Sequence, residues 1–452
     1  MPLEIPTKYD SLLKKKVSLK TSFTFMLIIV LIIWSFIYTG FNFGDLMIGI
    51  PQIGDLFKQM IPPDFEYLQQ ITTPMLDTIR MAIVSTVLGS IVSIPIALLC
   101  ASNIVHQKWI SIPSRFILNI VRTIPDLLLA AIFVAVFGIG QIPGILALFI
   151  LTICIIGKLL YESLETIDPG PMEAMTAVGA NKIKWIVFGV VPQAISSFMS
   201  YVLYAFEVNI RASAVLGLVG AGGIGLFYDQ TLGLFQYPKT ATIILFTLVI
   251  VVVIDYISTK SEGTSRMTQE IAKYNVHTKA HKRKLIKRWL IAIVVLAIII
   301  WAFAGVPSLE LKSKSLEILK SIFSGLFHPD ISYIYIPDGE DLLRGLLETF
   351  AIAVVGTFIA AIICIPLAFL GANNMVKLRP VSGVSKFILS VIRVFPEIVM
   401  ALIFIKAVGP GSFSGVLALG IHSVGMLGKL LAEDIEGLDF SAVESLKASG
   451  AK

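Results

Sequence analysis

Charge is what this chain has least of. Only 15% of its 452 residues are Asp, Glu, Lys or Arg, while 56% are hydrophobic and the mean hydropathy is +0.87. Soluble domains carry about 25% charged residues, so an ordinary soluble globular protein is excluded. Alternating, barrel-like patterns are lacking too. The apolar residues fall instead in long runs such as 23–42, 243–257 and 290–305. Such runs approach the roughly 20 residues that cross a ~30 Å hydrocarbon core as a helix, which satisfies its own backbone hydrogen bonds there. Cysteine is nearly absent. Cys100, Cys154 and Cys364 all lie in apolar runs without metal-ligand spacing and read as small buried hydrophobes, so no metal and no other cofactor is expected. No phosphate-binding P-loop pattern occurs, which argues against nucleotide hydrolysis by this chain. The first apolar run is too long for the h-region of a cleavable leader and no small-residue cleavage site follows it, so no such leader is expected. The sequence pI near 9.0 comes from basic loops, which in a membrane protein report topology and not nucleic-acid binding.

Ten spans are predicted: 23–42, 76–100, 116–137, 143–165, 195–217 and 239–258, then 288–305, 346–370, 387–408 and 413–433. Lys14, Lys15, Lys16 and Lys20 place the N-terminus inside, and Lys273, Lys279, Lys282, Arg283, Lys284, Lys287 and Arg288 place the segment around 259–287 inside as a basic cytoplasmic linker. Asp45, Asp55, Asp64 and Glu66, against Lys58, fit an outside loop; His106, Lys108 and Arg115 fit the inside, as do Lys377, Arg379 and Lys386. Residues 55–61 and 316–327 are short and amphipathic, suited either to the outer interface or to an ordinary structured loop.

Several residues recur in register. Pro95 and Pro366, Arg122 and Arg393, Pro125 and Pro396, Gly157 and Gly428, Lys158 and Lys429, and Glu173 and Glu444 each stand 271 apart. One gapless offset relates 78–181 to 349–452. Shared membrane composition does not keep glycines, prolines and charges aligned over such a length, so the chain is internally duplicated. The first repeat is 1–258 and the second 288–452, and an even number of spans between them makes them parallel repeats. The second repeat holds four spans and is expected to be incomplete, a tandem fusion cut short in mid-loop.

The loop 168–192 is the most informative motif. Asp168-Pro169-Gly170-Pro171 suits a helix start, alanines favour helix, and Gly179 permits a tight bend. Glu173, Ala174, Gly179, Ala180 and Pro192 resemble the cytoplasmic loop of permease subunits of binding-protein-dependent ABC importers, with Met175 where that pattern has its second alanine. Glu444 to Gly450 begin the phrase again, although Ser445 and Leu446 replace both alanines. Residues 167–174, 206–217, 393–397 and 425–430 look like the phosphonate importer permeases in particular. The resemblance covers roughly residues 75–258 and 345–452. It implies an all-α polytopic membrane protein built from two parallel repeats of the ABC importer (MetI-like) permease fold, with about ten transmembrane helices and the second repeat incomplete. It implies a non-catalytic subunit in the plasma membrane of a cell, coupled through 168–192 to two separate ATPase subunits. An extracytoplasmic binding protein would supply a small anionic substrate, a phosphonate or a related phosphorus oxyanion. An ion-driven secondary transporter built from parallel repeats is the competing reading; a structural scaffold leaves the repeated loop unexplained.

Charges inside the apolar runs divide two ways. Glu207 and Arg211 share a helix face at i, i+4, fitting either a buried structural pair or a path-lining arginine oriented by its glutamate. Arg122 with Asp126 and Arg393 with Glu397 have the same spacing around a proline and fit snorkelling at helix ends. Lys158 with Glu162 and Lys429 with Glu433 fit a stabilised helix base. Gly220, Gly222, Gly223 and Gly225 allow backbone without side-chain bulk on the outer side, which suits a gate, a docking surface for the binding protein or a mobile loop.

Overall fold

A computed structural model describes residues 19–272, 280–308, 314–337, 339, 341–376, 378–395 and 397–438. All regular structure among them is helical. In order come α1 Leu19–Thr39, α2 Phe43–Gln59, α3 Leu68–Cys100, α4 Lys108–Thr123, α5 Asp126–Phe137, α6 Gln141–Glu165, α7 Pro169–Ala177, α8 Lys182–Trp185, α9 Val191–Leu216, α10 Gly225–Gly233 and α11 Tyr237–Ala272. There follow α12 Ala280–Ala304, α13 Ser315–Phe327, α14 Leu342–Gly371, α15 Arg379–Val394, α16 Glu397–Val408 and α17 Ser412–Glu436.

Among the described residues seven helices are long and apolar enough to cross a membrane, or nine when each of two bent pairs counts as one span. Two departures from the ten predicted spans have clear causes. The apolar part of the seventh, Trp289–Ala304, is short for a bilayer core. The spans expected over 116–137 and 387–408 are not straight: α4 turns into α5 through 83°, and the equivalent second-repeat pair turns through 86°. Pro125 lacks a donor and forces Ile124 into extended backbone (φ −75°, ψ 122°). Pro95 sits inside α3 without breaking it. At the break Thr123 Oγ1 donates to the Ile120 carbonyl (2.7 Å), and the Asp126 carboxylate accepts from Leu127 N–H (3.0 Å). The break also separates Arg122 from Asp126, which form none of the ion pairs among the described residues, so the i, i+4 geometry expected of them does not exist. Lys158–Glu162 (3.4 Å) and Lys429–Glu433 (3.9 Å) do pair.

The chain divides into two compact units, one of Asp55–Pro329 with Val394–Val399, the other of Met1–Gly54, Asp330–Arg393 and Met400–Lys452. The units cut across the sequence repeats, because the opening helices of each repeat pack in the unit that holds the body of the other. In the first unit α12 lies on α3, where the Arg80 guanidinium stacks over Trp301 (4.6 Å) and pairs with Asp77 (3.1 Å). There too α13 is held to α5 by the Ser315 hydroxyl on the Val136 carbonyl (2.6 Å). In the second unit α1 lies on α14, with Phe36 edge-on to Phe358 at 6.0 Å.

Small residues set the centre of each unit. A Cβ on Gly89 of α3 would stand 2.5 Å from the Thr152 Cβ on α6. In the second unit Gly356 of α14 meets Gly420 of α17 less tightly, a Cβ there lying 3.3 Å from the Gly420 nitrogen. Such backbone approach drives helix association in lipid, where apolar burial gives little. The three cysteines are buried within these cores.

One polar node ties three helices of the first unit. Asn209 of α9 is fully buried, and its amide nitrogen donates to Thr86 Oγ1 (2.8 Å) on α3 and to Thr152 Oγ1 (2.7 Å) on α6. Each threonine hydroxyl is also within reach of its own i−4 carbonyl, Ala82 O at 2.6 Å and Leu148 O at 2.7 Å. The hydroxyl protons go there, so both oxygens are left to accept, and the amide must present its two donors. Interhelical bonds of this kind contribute about 0.6 kcal/mol on average and up to about 1.7. Asn209→Leu is therefore expected to lower stability in detergent by about 1–2 kcal/mol. Combined with Thr86→Val it should cost less than the two single changes summed, as read by a double-mutant cycle in unfolding experiments. Strict additivity would show that the node does not hold the helices together.

Candidate functional site

Between α6 and α9 the chain folds into a short closed loop. Asp168 caps α7, its carboxylate accepting from Gly170 N–H at 2.9 Å, and Pro169 occupies the first helical position. The helix stops in a Schellman turn: Ala180 N–H donates to Met175 O (3.0 Å), Gly179 N–H to Thr176 O (3.0 Å), and Gly179 has φ +71°. Nothing lies within 4 Å of a Cβ placed on Gly179, so glycine is needed there for its backbone angle alone. Asn181 then caps α8 through Lys184 N–H (2.9 Å), and residues 186–190 form one π-helical turn before α9.

The loop's two ends are tied together. The Gln193 side chain accepts from Asp168 N–H (3.1 Å) and donates to Asp168 O (3.2 Å) and Gly189 O (2.8 Å). Trp185 Nε1 reaches Met172 O at 3.0 Å, and Met172 is the buried residue around which α7 and the π-turn close. Glu173, Ala174, Gly179 and Pro192 are exposed and Ala180 half-buried. Beside them Val178 is 75% exposed and Ile183 73%. The loop is thus a preformed surface on which Glu173 stands beside Val178, while Ile183 lies between the exposed Lys182 and Lys184. Glu444 and Gly450, predicted to carry the same surface in the second repeat, lie outside the described residues.

On α9, Glu207 is buried and its carboxylate lies 3.3 Å from Arg211 Nη2, at i, i+4 as the spacing predicts. Asn209 lies on the far side of the same helix, about 200° around from Glu207. Beyond α9, Gly220, Gly222 and Gly223 all have positive φ, but the segment they form is no free loop. Ala221 and Ile224 are fully buried, Ile224 N–H donates to Thr78 Oγ1 (2.9 Å), and Gly140 N–H donates to Gly220 O (3.0 Å). A Cβ on Gly223 would stand 2.6 Å from Thr78 Oγ1. Gly225 opens α10 close against Gly217. The glycines therefore let a turn insert between α3 and α6. Thr78, Thr86, Thr152 and Asn209 escaped sequence reasoning. An amide alone in an apolar span was the available signal, since it needs partners that only the fold supplies. Among the described residues no group of His, Cys, Asp and Glu could hold a metal.

An all-helical polytopic bundle with a capped loop between two spans describes a multi-pass membrane protein. Residues 93–262 match the family described as binding-protein-dependent transport system inner membrane component. The chain is 31% identical over 409 residues to the phosphate-import permease protein PhnE of Mycolicibacterium smegmatis, covering 89% of this chain and 74% of that one. It is 36% identical over 213 residues to the phosphite transport system permease protein PtxC of Stutzerimonas stutzeri, covering 47% of this chain and 78% of that one. It is 44% identical over 113 residues to the putative cryptic phosphonate transport system permease protein PhnE2 of Escherichia coli, covering 25% and 93%. The chain belongs to the permease family of binding-protein-dependent ABC importers. It is a non-catalytic, multi-pass membrane subunit of a family whose ATPase is a separate chain. The secondary-transporter reading is thereby set aside.

The closed loop yields a direct prediction. Gly179→Ala forces a left-handed backbone on an L-residue, at about 1–2 kcal/mol. It should leave the bundle intact while speeding amide hydrogen exchange across 169–180 alone. Unchanged exchange there would mean that the Schellman turn does not hold the loop.

Proposed function

We propose that this chain is the transmembrane subunit of an ABC importer for phosphonate or a related phosphorus oxyanion, and that ATP hydrolysis on its partner is coupled to translocation through residues 168–192. The observation that carries the coupling role is the loop's construction. Its ends are fastened to each other by Gln193, both of its short helices are capped, and its exposed rim carries Glu173 among Val178 and Ile183. A soluble partner pressing on such a surface moves α6 and α9 together. The substrate class is supported by the relatives, named for phosphate, phosphite and phosphonate, and by Arg211, a cation within an apolar span. Such charges are costly there and serve pathways or pairs. In this reading Arg211, oriented by Glu207, meets the anion, and the turn carrying Gly220, Gly222, Gly223 and Gly225 forms part of the gate. Two ATPase subunits are the expected partners, with the N-terminus, linker and loops inside and the binding protein outside.

Reconstitution with the cognate ATPase and binding protein is the test. ATP-dependent uptake of an alkylphosphonate, phosphite or phosphate is expected. Glu173→Lys should weaken ATPase association by roughly tenfold, or about 1.4 kcal/mol, without loss of the folded permease. Uptake that persists without the ATPase would reject the reading.

A further inference from the structure

The two repeats carry the same fastening at the same place, outside the loop itself. In the first, Glu165 ends α6 three residues before Asp168. One of its carboxylate oxygens receives the Arg115 guanidinium from α4, the Ser102 hydroxyl (2.5 Å) and Ser102 N–H (3.0 Å) from the turn after α3. Arg115 Nε donates to the Cys100 carbonyl (2.6 Å), its guanidinium lies over Tyr161 (5.0 Å), and Asn103 donates to Leu164 O (2.6 Å). In the second, Glu436 ends α17 and receives Lys386 Nζ (2.7 Å) and Asn373 N–H (2.7 Å), while Asn374 donates to Ile435 O (2.6 Å). Every one of these positions is related by the 271-residue offset. Arginine has become lysine and serine asparagine, yet the ion pair, the backbone N–H on the acid and the asparagine bond to the preceding carbonyl persist; Tyr161 is replaced by Ala432, and the Gly371 carbonyl, in the place of Cys100, accepts from Ser382 instead.

Stability alone is a poor account of the arrangement. The paired side chains are 27–39% exposed, and ion pairs so exposed contribute about 0–1 kcal/mol. What the bonds do is fix direction. They tie the last turn of the helix that feeds the loop to the two helices before it. Without them Thr166, bonded only back to the Ser163 carbonyl, would let that turn bend when the loop is pushed.

We infer that the Arg115–Glu165–Ser102 clasp is a set of positioning residues that passes displacement of the loop into α3, α4 and α6 as one body. The inference rests on the coupling role proposed above for 168–192. In the complete reconstituted complex, Arg115→Gln and, separately, Glu165→Gln should leave ATPase association and hydrolysis in place while the ratio of substrate moved to ATP hydrolysed falls by roughly fivefold or more, the lower end of usual coupling energies. Arg115→Lys should keep the ratio near wild type, because lysine already fills the equivalent position. Complexes of both glutamine variants that assemble with an unchanged ratio would overturn the inference. So would failure of both to assemble, which would make the clasp an element of folding. A wild-type complex without binding-protein-stimulated hydrolysis would instead remove the coupling reading itself.

Discussion

A polar group inside a bilayer has no water to bond when the protein fails it, at several kcal/mol for each unsatisfied group. The fold depends on that constraint. It explains why the Asn209 amide nitrogen sits where two threonines converge, why those threonines are within reach of their own backbone carbonyls, and why the backbone of the buried glycine turn is met by Thr78 and by Gly140. The amide oxygen of Asn209 is an exception, buried with no hydrogen-bond partner among the described residues. Close small-residue contacts bring the helices together; the polar bonds select which helices meet and at what depth.

Toward the loop the same logic changes purpose. Water is available there, so polar contacts add little stability, yet they are dense. The clasp at Glu165, the Asp168–Gln193 tie and the Trp185 bond to Met172 link the exposed loop surface to the helices of the first repeat. In the proposed coupling role, that rigidity would carry a push on the loop into the bundle.

Much of this was legible in the residues. Seven of the ten predicted spans followed from run length, the repeat from the 271-residue offset, and the loop's beginning and bend from Asp168-Pro169 and Gly179. The bend at Pro125 was not, because Pro95 and Pro366 look the same in one dimension yet lie inside unbroken helices. The clasp was half visible. Arg115 and Lys386 stood in the sequence as topology markers, and their acids at 165 and 436 kept register, but nothing local says that residues 50 apart touch. The sharing of opening helices between units leaves no periodic trace at all, since an apolar helix reads alike whichever neighbour it joins.

In the proposed coupling, energy enters this chain through the loop between α6 and α9. The most direct measurement places a cysteine at Val178, 75% exposed on that loop, and another at Ile91, 61% exposed on α3, then cross-links each to the ATPase in a transport-competent complex. Efficient cross-linking from position 178, altered by ATP and absent from position 91, is the predicted result. A transporting complex in which position 178 never reaches the ATPase would contradict the account.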